Sequence, residues 1–107
     1  MEVVKKDIKR VYVSGQISGM KIEYAKQNFH FACKEVSKYH EADFVVNPFD
    51  VPPFLGIKHW ICYMINDIRE LRKCNIVAMQ PNWIDSRGCH WEHYFAKWIF
   101  KIKVIYL

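Results

Sequence analysis

Short β-type runs alternating with longer amphipathic stretches constrain this chain most, because a run can pair in parallel with the previous one only if a helix first carries the chain back. Val11 to Ser14 stops at Gly15, and the segment after Gly15-Gln16-Ile17-Ser18-Gly19 places apolar residues at 22, 25, 29, 32, 33 and 36. That reads as strand, glycine turn and amphipathic helix. Phe44 to Val46 is the next β-type run and ends in Asn47-Pro48. The stretch through Val51-Pro52-Pro53-Phe54-Leu55-Gly56 has the punctuation of a loop and the length of a lid. From about Lys58 to Arg72, residues Ile61, Met64, Ile65, Ile68 and Leu71 recur at helical spacing, and Asn75 to Met79 reads as a buried strand. Pro81-Asn82 breaks that strand, Ser86-Arg87-Gly88 opens a third helix running to about Phe100, and Ile102 to Tyr106 supplies a last strand.

The order βαβαβαβ predicts an α/β fold: a Rossmann-like, flavodoxin-like three-layer sandwich whose four-stranded parallel sheet, in order 2-1-3-4, carries helices on both faces. A chain of 107 residues is the size of one domain, with residues 1–10 as an extension leading into the first strand. Ligands of such sheets bind beyond the carboxyl ends of the strands, so the loops at Gly15 and Asp85 are expected to flank one pocket.

Composition narrows the partners. Aromatic residues make up 16% of the chain, including Trp60, Trp83, Trp91 and Trp98, more than a small core usually hides. Part of that surface is expected to cover a ligand or a second subunit, giving a homodimer or higher homo-oligomer. The net charge of +5 favours an anionic ligand, but the basic residues are spread from Lys5 to Lys103 without an arginine-rich run, which argues against nucleic acid. Cys33, Cys62, Cys74 and Cys89 form no CxxC pair and read as reduced and mostly buried, as in a cytoplasmic protein. Lys97, Lys101 and Lys103 interrupt the apolar tail, so no membrane segment is expected.

Several residues are candidates for chemistry. The Gly15 to Gly19 loop suits either backbone contacts to a phosphate or a tight turn without a ligand, and its spacing fits neither the dinucleotide fingerprint nor the P-loop. Glu92 shares a helical stripe with Gly88, Ala96 and Ile99. Either that stripe faces the sheet and its carboxylate has a function, or it faces solvent while Trp91, Phe95 and Trp98 are buried. Pattern alone favours the second. Asp67 poses the same question, in line with Trp60, Met64 and Leu71. His59, Cys62, Cys89, His90 and His93 include pairs at helical spacing, but no third ligand follows, so neither a metal site nor a cofactor is expected.

Three segments, Val11-Tyr12-Val13-Ser14-Gly15-Gln16-Ile17-Ser18-Gly19, Asn66-Asp67-Ile68-Arg69-Glu70-Leu71 and Ser86-Arg87-Gly88-Cys89-His90-Trp91-Glu92 with Ala96, together resemble the nucleoside 2-deoxyribosyltransferase superfamily. The pattern is nearest to its 2'-deoxynucleoside 5'-monophosphate N-glycosidases and its small bacterial and phage domains. The resemblance implies that Tyr12 orients or activates the site, Asp67 accepts from a sugar hydroxyl and Glu92 is the nucleophile. It also implies phosphate contacts from Gly15, Gln16, Ile17, Ser18, Gly19 and Ser86. Gly88, Asp85 and Trp83 would complete the pocket, with Trp83 and Phe54 stacking on the base. The expected activity is hydrolysis or transfer at the N-glycosidic bond of a nucleoside or nucleotide. On this reading the helix dipole and a hydrogen bond from Tyr12 keep Glu92 ionised. Ser18 stands where the nucleotide hydrolases tend to carry an arginine, which leaves a second reading: a non-catalytic protein that binds a nucleotide or nucleotide-derived signal in the same pocket.

Overall fold

The computed structural model describes residues 8–107, so most of the expected extension at residues 1–10 lies outside the described residues. Strand β1 (Arg10–Ser14) is followed by helix α1 (Ile22–Tyr39), β2 (Phe44–Val46), helix α2 (Trp60–Arg72), β3 (Ile76–Met79), helix α3 (Arg87–Tyr94) and β4 (Lys103–Tyr106). The strands form one parallel sheet in the order β2-β1-β3-β4. This is the expected α/β topology.

Strand alternation sorts the core into two layers. Val11, Val13 and Ala78 face α1, where they pack with Phe29, Ala32 and Val36. Tyr12, Val77 and Met79 face the other way and pack with Leu71 of α2 and with Cys89 and Ala96 beyond it. Each fully buried large apolar side chain contributes roughly 1.5–3 kcal/mol, so the sheet is held from both sides. Two of the four cysteines, Cys74 and Cys89, are buried, while Cys33 and Cys62 are half-buried.

Two helices depart from the expected pattern. On α2 the buried face is centred on Asp67 and Leu71, while Ile61 and Ile65 of the expected apolar stripe are exposed. The last helix changes pitch: Phe95–Ile99 forms a π-helical turn, closed by Phe100 N–H donating to the Phe95 carbonyl at 2.8 Å. That wider turn breaks the stripe predicted from Gly88 through Ile99. Ala96 stays fully buried, and Ile99 is turned outward at 52% exposure.

The loop after β2 is pinned rather than free. It folds into two short 3-10 turns, Pro48–Asp50 and Phe54–Gly56, and Asn66 on α2 donates to the Pro52 carbonyl at 2.9 Å. Phe49 meets the edge of Phe29 at 5.3 Å.

Gly15 continues the α1-facing side of β1 and lies against Gln80, the residue after β3. A β-carbon at Gly15 would stand 2.6 Å from Gln80 Cδ, so a larger residue there forces the Gln80 amide to move. Gly15→Ala is expected to cost about 1–3 kcal/mol in urea denaturation, and Gln80→Ala should restore most of it in the double variant. An undiminished loss in the Gln80→Ala background would show that this contact is not the cause.

Candidate functional site

Three elements converge near the carboxyl end of the sheet. Tyr12 comes from β1, Asp67 from α2 and Glu92 from α3, and all three are buried, at 0%, 8% and 5% exposure. Glu92 thus lies on the sheet-facing side of α3, while Trp91 and Trp98 are exposed at 48% and 62%. The solvent-facing assignment that pattern favours for Glu92 is therefore reversed. The aromatic residues are numerous enough to form a stripe of their own, but the sheet takes the narrower side, with Cys89, Glu92 and Ala96.

Ser14 is the direct partner of this carboxylate, its hydroxyl donating to Glu92 Oε1 at 3.1 Å. Three further buried polar atoms, Tyr12 Oη, Asp67 Oδ1 and Glu92 Oε2, have no hydrogen-bond partner. The Tyr12 hydroxyl is near enough to Glu92 to favour its charged form, yet it falls short of hydrogen-bond geometry. Unpaired buried polar atoms cost free energy, and three in one place are unusual in a structural core.

Burial dominates the electrostatics. It raises Glu92 to about 8, with the charge of Asp67 adding and the Tyr12 and Ser14 hydroxyls opposing. Burial also raises Asp67 to about 7, and it lifts Tyr12 well above the usual phenol value, helped by the charges of Glu92 and Asp67. The expectation that the helix dipole and Tyr12 keep Glu92 ionised is overturned: desolvation of a buried carboxyl outweighs both. Such a group can hold a proton near neutrality, accept from a ligand hydroxyl, or act as a nucleophile once deprotonated.

The remaining candidates are placed less uniformly. Gly15, Gln16, Ile17, Ser18 and Gly19 precede α1, but the helix begins only at Ile22, and Lys21 at its N-cap makes no side-chain capping bond. The loop therefore does not deliver a helix N-terminus at Gly15. The Gln16 N–H is already donated to Asn82 Oδ1 at 3.2 Å, and Gly19 has φ +84°, a turn conformation that suits glycine. Ser86 caps α3, its hydroxyl accepting from Cys89 N–H at 3.3 Å. Gly88 allows α2 to approach, since a β-carbon there would meet Met64 Sδ at 3.2 Å. Arg87 sits over the Trp60 ring at 4.3 Å. Asp85 is exposed, and Trp83 is stacked on His93 at 4.6 Å rather than left open for a base.

Two residues carry no pattern signal for the site. Ser14 reads as a strand end, although alternation puts it on the same side as Tyr12, and Gln80, buried with its amide nitrogen unpaired, follows a strand with nothing in its spacing to mark it. Among the described residues no three His, Cys, Asp or Glu side chains are grouped to hold a metal, and no helix is long and apolar enough to cross a membrane.

The family model for DUF4406, a domain of unknown function, matches residues 9–106. The chain belongs to the DUF4406 family. No curated protein and no solved structure matches it. The DUF4406 match runs from just before β1 to the end of β4, so Tyr12, Ser14, Asp67 and Glu92 all fall inside the family domain.

The raised carboxyls give a stability prediction. A carboxyl with a raised folded value binds its proton more tightly folded than unfolded, so its contribution is full below the ordinary value of 4.5 and lost as pH rises through about 8 for Glu92. Wild type should therefore lose stability relative to Glu92→Gln between about pH 5 and pH 8, by on the order of a few kcal/mol. Parallel melting curves for the two proteins across that range would contradict the assignment.

Proposed function

We propose that this DUF4406 domain cleaves or transfers at the N-glycosidic bond of a nucleoside or nucleotide, with Glu92 as nucleophile, Asp67 binding a sugar hydroxyl and Tyr12 orienting the pair. One observation carries the reading: Tyr12, Asp67 and Glu92 each keep a buried polar atom without a partner at the ligand-binding end of a parallel sheet. A small polyhydroxylated ligand supplies the missing donors and acceptors. The resemblance to nucleoside 2-deoxyribosyltransferases names the sugar class.

Cleavage of this bond passes through an oxocarbenium-like transition state, and a carboxylate beneath the anomeric carbon traps or stabilises that charge. In the covalent route Glu92 attacks C1', and the C1'–N bond electrons leave with the base, which takes up a proton. Water or a second base then displaces Glu92. The Ser14 hydroxyl holds one carboxylate oxygen and leaves the other for the sugar. Because Glu92 is raised to about 8, the reaction needs it deprotonated, by alkaline pH or by polar contacts from the bound ligand.

The test is base release, followed chromatographically, from a panel of ribo- and deoxyribonucleosides and their 5'-monophosphates. Wild type should release base from at least one, and Glu92→Gln should lower the rate by at least ~100-fold. No release from any substrate, or equal release by the variant, would end this reading.

The pH profile gives a separate check. For the free enzyme, kcat/KM should rise as Glu92 loses its proton, with the midpoint of the rising limb at about 8. A profile flat from pH 6 to pH 9 would remove Glu92 from the nucleophile's role.

The proton that Glu92 retains near neutrality favours a second reading, a binding module in which the protonated pair recognises a nucleotide or nucleotide-derived signal without turnover. Calorimetric binding without base release would support it, and cleavage of every ligand that binds would exclude it.

A further inference from the structure

A second polar group lies on the opposite side of the sheet from Glu92. Gln80 follows β3 on the α1-facing side, at 4% exposure, and its Nε2 has no hydrogen-bond partner. The absence of a side chain at Gly15 seats it, and its backbone N–H is fixed by the Ser14 carbonyl at 2.9 Å. Gln80 lines a cleft of about 370 Å³, together with Asn28, Phe31 and Glu35 of α1 and Asn82 of the following loop. Neither Tyr12, Asp67 nor Glu92 lines it.

The chemistry of this lining is selective. It offers the carboxamides of Gln80 and Asn28, the carboxylate of Glu35 and the face of Phe31, which is 59% exposed, and no lysine or arginine side chain, while the Asn82 amide is already engaged by the Gln16 N–H and Met20. A carboxamide matches a ring edge that presents a donor beside an acceptor. A carboxylate accepts from an exocyclic amine and repels a phosphate, and an exposed phenyl ring stacks on a flat heterocycle. The volume suits a base or a nucleoside.

We propose that the cleft between α1 and the end of β3 binds an amine-bearing nucleobase, free or as an uncharged nucleoside, with Gln80 on its edge, Glu35 on its amine and Phe31 on its face. This site is separate from the carboxylate pair and stands whether or not Glu92 cleaves a nucleoside.

Calorimetric titration of the full chain with adenine, cytosine, uracil, hypoxanthine and adenosine 5'-monophosphate tests it. Adenine or cytosine should bind saturably, and the bases without an amine and the monophosphate should bind at least about tenfold more weakly, a difference of about 1.4 kcal/mol. Phe31→Ala and Gln80→Leu should each weaken adenine or cytosine at least tenfold. Glu35→Gln should erase the preference over uracil and hypoxanthine. Should Gln80→Leu fail to fold, the two α1 variants, both at exposed positions, still decide. Glu92→Gln should leave the binding intact. The proposal is overturned if no base saturates the protein, if the α1 variants bind as wild type does, or if Glu92→Gln abolishes binding while Phe31→Ala and Glu35→Gln preserve it.

Discussion

The pairing of β1 with β3 is the constraint on which the rest of the molecule depends. Its register sets Tyr12 beside Val77, Val13 beside Ala78 and Ser14 beside Met79. Because side chains alternate, Tyr12 and Ser14 are delivered to the layer of α2 and α3, and Gly15 and Gln80 to the layer of α1. A slip of one residue would send Tyr12 and Ser14 into the Phe29 layer and strand Asp67 and Glu92 against apolar neighbours. The candidate site is a consequence of register before it is a consequence of any loop.

Within that frame the molecule carries a local conflict. An apolar core would be satisfied by leucine or valine at positions 67 and 92, and the surrounding Leu71, Met79, Cys89 and Ala96 are of that kind. Instead two carboxyls are buried near a phenol, and the raised values of all three groups measure how poorly the protein interior solvates their charged forms. Buried groups held in such strained electrostatic surroundings mark a candidate functional site. Gln80 repeats the argument on the other layer with a neutral group.

Alternation of β-type runs with amphipathic helices made the order of elements and the parallel sheet legible in the sequence, since both periods are properties of local spacing. The strand at Phe44 to Val46 was readable to the residue, and the others to within one residue at their N-terminal ends. The orientation of α3 was not readable, because Trp91, Phe95 and Trp98 form a stronger apolar stripe than the one the sheet uses. The π-helical turn at Phe95–Ile99 was equally invisible, because one widened turn leaves no periodic mark in the spacing of apolar residues. The burial of Ser14 and Gln80 was not legible either, because a polar residue at a strand end usually meets solvent. Only the helices packed over them decide otherwise.

Helices α2 and α3, which carry Asp67 and Glu92, approach one another closely. Gly88 lets Met64 lie directly against α3, and the Trp60 ring spans the same junction with the Arg87 guanidinium upon it. Of these contacts, the Arg87–Trp60 pair is partly exposed and weakly held, since such a contact at an exposed site is worth about 0.5–1 kcal/mol. Met64 is unbranched and flexible, so it can change rotamer without disturbing the helix. A polar ligand that satisfies Tyr12, Asp67 and Glu92 gains several hydrogen bonds, each worth about 0.5–1.5 kcal/mol, more to charged groups.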